Sequence, residues 1–321
     1  MKYFIVDENQ ANERLDKFLA EKLGETRSQI KKAILNDRVL INDKPAKVHE
    51  FLNIKDKVTV KDFIVLKGVD KKKEAADEEK NIKFLKPKIL KETDDYIVLE
   101  KPSGMLVHST SKNEQDTLVH WLVRKYPEIQ KIADPISLNK RDKIFRPGIV
   151  HRLDREVSGL MVVARTQTSF EDLKSQFQQK DIKKEYTALV IGELAEDKGL
   201  IDFEISRKTS GEKMAAHPAN SNKGKPSLTE YEVVEKFLKF TLVKINLLTG
   251  RTNQIRVHFF ALGNPVAGDS LYCLKEKAPK VKIPRILLHA NALSFKDLNG
   301  ETQTFESELP EEFNQVISQL K

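Results

Sequence analysis

The stretch Pro147-Gly148-Ile149-Val150-His151-Arg152-Leu153-Asp154-Arg155-Glu156-Val157-Ser158-Gly159 decides how the rest of the chain is read. An apolar run enters it at Ile149-Val150, and charged residues crowd its middle. It leaves through Gly159 into Leu160-Met161-Val162-Val163, which has the make-up of a buried strand. A carboxylate on a loop held by two strands is the kind of group a rigid scaffold presents to a ligand. Taken alone, Asp154 reads equally well as a turn former paired with Arg152 or Arg155.

Outward from this loop, short strand candidates dominate. They are Ile97-Val98-Leu99, Gly159 to Ala164, Lys184 to Ile191, Tyr231 to Val234 and Phe240 to Leu248. Between them, Phe170, Leu173 and Phe177 have helical spacing and predict a helix over Thr168 to Gln179. The pattern lacks the regular strand–helix alternation of a parallel sheet. The expected fold class is α+β, with a large domain over residues 86 to 321 built on a mixed, mainly antiparallel sheet with flanking helices.

Upstream, residues 66 to 85 change composition. Lys71-Lys72-Lys73 is followed by Glu74, Asp77, Glu78 and Glu79 with almost nothing apolar to pack, which predicts a charged linker. Residues 1 to 65 form a separate small α/β unit. Leu15, Phe18, Leu19 and Leu23 line one helix face over Arg14 to Leu23, and Thr26 or Ser28 can cap a second helix carrying Ile30, Ala33 and Ile34. Val39-Leu40-Ile41 and Val58 to Val65 read as strands, with Asn42-Asp43-Lys44 as a turn. Arg27, Lys31, Lys32 and Arg38 fall away from the apolar stripe and could meet phosphates. This unit holds 13 basic and 11 acidic residues, so clustering rather than total charge has to carry that reading.

The chain has 321 residues, 39% of them hydrophobic and 32% charged, a balance that fits two soluble domains. No apolar run approaches membrane-span length, and Met1 to Asn12 lacks a signal pattern. The single cysteine, Cys273, rules out an internal disulfide and a thiolate zinc cluster. A cytoplasmic protein is expected. The net charge of +8 suits a polyanionic partner without identifying one.

Three further segments set polar residues among apolar ones. Tyr186 lies in Lys184-Glu185-Tyr186-Thr187-Ala188-Leu189-Val190, where a lone strand tyrosine is more often core. In Gly250-Arg251-Thr252-Asn253-Gln254-Ile255-Arg256-Val257-His258, Asn253 is a good N-cap for a helix ending at Gly263. Ile255, Phe259 and Leu262 would form its buried stripe, and Arg256 points off that stripe. A cation in the first turn opposes the helix dipole, so an anion should compensate it, and Asp154 is the natural candidate. His289, in Ile286-Leu287-Leu288-His289-Ala290, reads as a satisfied buried histidine. The seven histidines are scattered and show no metal-ligand spacing, so no metal is expected.

Two resemblances join these segments. Residues 12 to 62 resemble the αL-motif RNA-binding module of a small-subunit ribosomal protein and tyrosyl-tRNA synthetases, with Thr26-Arg27-Ser28 where Ser-Arg-Ser is usual. From about residue 85 onward, His151-Arg152-Leu153-Asp154-Arg155, Lys184-Glu185-Tyr186, Gly250 to Arg256 and Leu288-His289-Ala290 occur in the order and spacing of the RluA/RluD-type pseudouridine synthase family. Lys101-Pro102-Ser103-Gly104 with Val107-His108 matches its domain opening.

The resemblance implies an isomerase that acts on uridines of structured RNA without a cofactor. Asp154 would be the nucleophilic or acid–base carboxylate, Tyr186 would help move the proton from carbon 5, and Arg256 would pair with the aspartate. Arg152 would occupy the gap left by a flipped base, with His151, Arg155 and Arg251 as further RNA contacts. Asn253 departs from the usual histidine, Val157 from a common threonine, and the segment after His289 lacks a usual histidine–proline pair. Ile205-Ser206-Arg207 through Met214 to Pro218 and Gly224-Lys225-Pro226 resemble members acting on large-subunit ribosomal RNA. Alternatives are a synthase for tRNA or a non-catalytic ribosome-assembly factor, although the latter should have lost Asp154 or Tyr186. No obligate protein partner is indicated, so a monomer is expected.

Overall fold

A computed structural model describes residues 2–23, 27–35, 38–60, 86–109, 117–132, 146–208, 213–273, 281 and 283–321. The chain divides into two units, Met1–Ile82 and Lys83–Lys321. The stretch read as a charged linker lies outside the described residues, as does the span 61–65 of the strand expected to reach Val65.

In the first unit, strand β1 (Lys2–Ile5) is followed by helices α1 (Leu15–Leu23) and α2 (Arg27–Leu35), then by β2 (Val39–Ile41), β3 (Lys44–Pro45) and β4 (Lys57–Val60). The strands form an antiparallel sheet in the order β1-β4-β2-β3. Leu15, Phe18 and Leu19 of α1 and Ile30, Ala33 and Ile34 of α2 share one core with Val39, Val58 and Val60. The turn between β2 and β3 is made by Asn42 and Asp43, both at positive φ (50° and 64°). Asn and Asp tolerate that conformation, and a two-residue loop of this hand matches strand twist. Thr26 lies outside the described residues, and Ser28 falls inside α2 rather than capping it.

The second unit opens with β5 (Lys88–Glu92), β6 (Tyr96–Lys101) and α3 (Leu118–Lys125). It continues with β7 (Ser158–Ala164), α4 (Gln167–Gln179), β8 (Lys183–Ile191), β9 (Lys198–Arg207), β10 (Met214–Pro218), β11 (Lys225–Phe237) and β12 (Phe240–Leu247). It ends with α5 (Gln254–Ala261), β13 (Leu288–Lys296), β14 (Thr302–Glu306) and α6 (Glu311–Leu320). Ten strands make one sheet in the order β10-β9-β11-β12-β8-β13-β7-β6-β5, with β14 beside β13. Among the described strands only β13 and β7 run parallel. The mixed, mainly antiparallel α+β sheet with flanking helices is therefore the observed one.

Period-2 alternation assigns the faces. Tyr186, Ala188 and Val190 of β8 join the main core with Val243, Ile245 and Leu247 of β12. Leu189, Phe240 and Leu242 point the other way and pack on Phe313 and Val316 of α6. Leu118 and Leu122 of α3, Phe170 and Leu173 of α4, and Ile255 and Phe259 of α5 complete the main core. Helix α4 begins where Thr166 accepts the Ser169 backbone N–H while the Ser169 side chain returns the contact, and it ends at left-handed Lys180.

Candidate active site

The Asp154 loop is fixed at both ends before any substrate arrives. Ser158 and Gly159 pair with His289 and Ala290 of β13. A Cβ on Gly159, whose φ is 126°, would run into the Ala290 backbone, so only glycine allows this close strand approach. His289 is fully buried and satisfied, with Nδ1 2.8 Å from the Ser158 hydroxyl and Nε2 3.2 Å from that of Ser307. From below, Lys101 on β6 donates to the carbonyls of Pro102, Met105 and Arg155, and Gly104 N–H also donates to Arg155 O. Burial draws the Lys101 amine down to about 7, against the pull of Asp154 and Glu156.

His151, Arg152, Asp154, Tyr186, Arg251 and Arg256 line one cavity of about 610 Å³. Arg155 is exposed and stands outside that lining. Lys31 is half-buried and Arg38 exposed on the first unit, and the Lys32 side chain lies outside the described ones. Arg27 is already committed, because its guanidinium donates to buried Asp16 at 3.2 and 2.9 Å. His151 lines the cavity as a neutral ring. Its Nε2 accepts the Val162 backbone N–H, its ring stacks on Phe177 at 4.5 Å, and burial with nearby Lys184 pushes it down to about 3.

Asp154 keeps 18% of its side chain exposed toward this space. Arg256 donates to it from Nη1 at 3.1 Å and reaches Glu156 at 3.4 Å. The expectation that Arg256 lies off a buried stripe is wrong. Residues Gln254 to Phe259 are all buried, Arg256 is 4% exposed, and it is Leu262 that is open. The compensating anion expected at Asp154 is shared. Arg256 Nε and Nη2 fork onto Asp269 at 2.7 and 2.9 Å, and Asp269 also accepts the Leu271 and Tyr272 N–H groups. Burial acts against the guanidinium charge, but Asp269 and Asp154 hold it well above its ordinary value. At Asp154 itself burial raises the carboxyl above the usual range, with Arg256 and Arg152 opposing the rise.

Asn253 does not cap α5 with its side chain. Gln254 takes the local anchoring instead: its Oε1 accepts from Thr249 Oγ1 and Arg251 N–H, and its Nε2 donates to Leu228 O and Thr229 Oγ1. The Asn253 amide is thereby free to turn toward the loop. Tyr186, on β8 between Ile245 and Ala290, is pushed well above its usual value by burial and by the charge of Asp154, so it stays a phenol. Among the described residues, no cluster of histidine, cysteine, aspartate and glutamate could hold a metal ion.

Residues 95–261 match the RNA pseudouridylate synthase family, and residues 13–58 match the S4 domain. The chain belongs to the RNA pseudouridylate synthase family. Ribosomal large subunit pseudouridine synthase D of Escherichia coli (strain K12) is 33% identical over 98% of this chain and 93% of its own. The uncharacterized RNA pseudouridine synthase YlyB of Bacillus subtilis (strain 168) is 33% identical over 98% of this chain and 96% of its own. In fold, human RNA pseudouridylate synthase domain containing 4 matches with a TM-score of 0.56 at 23% identity, over 73% of this chain and 92% of that one.

Within this pseudouridine synthase, sequence reasoning missed Asp269, which carries most of the Arg256 pairing. The signal was present as Gly268-Asp269-Ser270, a turn tripeptide after the apolar pair Val266-Ala267, where an aspartate bonds its own backbone two and three residues on. In the sequence Lys101 stands out only as part of a motif. A lysine that ends an apolar strand and precedes Pro-Ser-Gly gives no local sign that its amine turns inward onto three carbonyls.

Proposed function

We propose that this pseudouridine synthase isomerises specific uridines of large-subunit ribosomal RNA, with Asp154 as the carboxylate that acts on the target nucleotide. The observation that carries the chemistry is a partly open aspartate held by a buried arginine at the floor of a nucleotide-sized cavity. The substrate reading rests on the near full-length likeness to proteins named for the ribosomal large subunit, with ribosome assembly in the cytoplasm as the setting.

Isomerisation breaks the bond from ribose to a ring nitrogen and remakes it to a ring carbon. No atom is lost, so the reaction calls on no redox partner. Asp154 can add to the sugar carbon or take a sugar proton, and either route needs the ionised carboxylate. Arg256 favours that form inside a desolvated site. Tyr186, a neutral phenol, can take the carbon-5 proton only as it passes its own on. Unstacking the uridine costs a few kcal/mol, which exposed Arg152 at the cavity rim offsets by filling the gap. Arg251 and Arg155, with Lys31, Lys32 and Arg38 of the S4 unit, supply phosphate contacts.

Two measurements test this reading. Asp154→Asn should lower single-turnover isomerisation by roughly a thousandfold or more while leaving RNA affinity within a few fold, since phosphate contacts supply most binding. Wild-type turnover in that variant ends the assignment. Pseudouridine mapping in cells lacking the protein should show sites lost from large-subunit rRNA. Losses confined to tRNA would move the substrate there.

A further inference from the structure

Asn253 sits at φ 54°, in the left-handed region, one residue before α5. With its nitrogen toward the loop, its amide donates to both Asp154 oxygens, at 3.1 and 2.8 Å, and its oxygen accepts from the Tyr272 hydroxyl at 3.2 Å. That orientation is the one that gives every atom of the amide a complementary partner. The Tyr272 hydroxyl is itself placed by the Met214 backbone N–H at 2.8 Å, and the ring packs under the Arg256 guanidinium at 5.4 Å. Tyr272 is 3% exposed, so the end of this relay away from Asp154 is rigid.

We propose that Asn253 is a positioning residue of the isomerisation, clamping both oxygens of Asp154 through a relay from Tyr272 so that the carboxylate is aimed and kept ionised. This rests on the reading of Asp154 given above. Arg256 reaches one carboxylate oxygen of Asp154 and spends its remaining contacts on Asp269 and Glu156, so it alone leaves Asp154 free to rotate about its side-chain bonds. The amide supplies the second point of attachment. A neutral amide also donates at every pH, whereas a histidine at this place would change its charge near neutrality. Asparagine is among the few residues that tolerate left-handed backbone, which lets one position serve both the turn and the clamp.

Charged and titratable groups facing Asp154 come from several elements: Arg152 and Glu156 from its own loop, Lys101 from β6, Tyr186 from β8 and Arg256 from α5. None of these is altered by replacing Asn253, so a change in the pH profile reports the lost clamp. Asn253→Gly removes the amide yet suits φ 54°, which separates the clamp from backbone strain. Asn253→Asp also tolerates that backbone but sets a second carboxylate against Asp154.

The substrate for the test is unmodified total RNA from cells lacking the protein, which serves whichever RNA is the natural one. Single-turnover rates would be measured from pH 5 to 9, with RNA affinity alongside. In Asn253→Gly the rate near pH 7 should fall about ten- to a hundredfold, and the acid limb should move up by about one unit. The deficit should then shrink at alkaline pH, with affinity within a few fold. Asn253→Asp should move the limb further still. An unshifted limb in Asn253→Gly, or a loss confined to RNA affinity, overturns the proposal and makes Asn253 an RNA contact. If Asp154→Asn run in parallel keeps its turnover, the reading of Asp154 has failed. If Asp154→Asn is inactive while Asn253→Gly matches wild type, this inference alone has failed.

Discussion

Asp16 in the first unit and Asp154 in the second each face two arginines, yet they are tuned in opposite directions. Asp16 is 1% exposed and accepts four guanidinium N–H bonds, two from Arg14 and two from Arg27. Burial works to raise its carboxyl, but those bonds win and hold it below the usual range. Asp154 is more open and accepts only one arginine N–H, because Arg256 gives its better fork to Asp269. There burial wins and the carboxyl is raised. A saturated carboxylate is a fastener. One held by a single guanidinium N–H and a neutral amide, and open to a cavity, is able to react.

Arg256→Ala should produce the largest change after loss of Asp154 itself. Asp154 loses its cationic partner, so its carboxyl rises further and less of it is ionised at pH 7. Turnover should drop by about a hundredfold or more, and the residual rate should climb with pH more steeply than in wild type. Asp269 would be left buried without a cation, which should cost about 3–5 kcal/mol of stability. Arg256→Lys should recover part of the rate, since a point charge cannot fork onto Asp269 while reaching Asp154. Adding Asp269→Asn to Arg256→Ala sharpens the contrast: thermal stability should partly return while turnover does not. Joint recovery of both would mean that Arg256 acts only through folding.

The sheet was readable where strands alternate or run apolar, as in β6, β7, β8 and β12. It was not readable in β9, whose Lys198, Asp202, Glu204 and Arg207 break the pattern, or in β11, where only Tyr231 to Val234 stood out of thirteen residues. A register shift between Val233 and Glu235 there leaves Val234 59% exposed. Asp154, Tyr186 and Arg256 were legible through their motifs. Their geometry was not, because helical periodicity assigns one buried face, whereas α5 is enclosed on all sides over its first six residues. Asn253 shows the same gap. Its type and place say N-cap, and only the tertiary position of the Asp154 loop, a hundred residues earlier in the chain, redirects the side chain.

Removing residues 1–66 tests whether the unit fastened by Asp16 contributes binding without chemistry. Two tethered RNA-binding surfaces reinforce each other through effective concentration. The truncated protein should therefore lose about tenfold or more in affinity for structured RNA. At saturating RNA it should retain a single-turnover rate within about tenfold of wild type, since no cavity residue is removed. Unchanged affinity would strip the S4 unit of its RNA role. A misfolded product would show that the two units do not fold independently.

The smallest effect is expected at Asp16 itself. Asp16→Asn keeps one acceptor oxygen but removes the charge that organises Arg14 and Arg27, whose side chains are 34% and 54% exposed and can return to water. The first unit should lose only about 1–2 kcal/mol, the scale of a charge-assisted hydrogen bond. Its pH dependence carries the sharper information. Asp16 titrates lower folded than its ordinary value of 3.8, so its contribution is fully present above that pH. It disappears as pH falls through the folded-state value. Urea unfolding of the two proteins should thus differ at pH 7 and converge as the pH is taken well below 3.8, while turnover at pH 7 on saturating RNA stays unchanged. A stability gap that persists into acid would assign the loss to packing rather than charge. A fall in turnover would break the comparison, because it would make Asp16 more than a fastener.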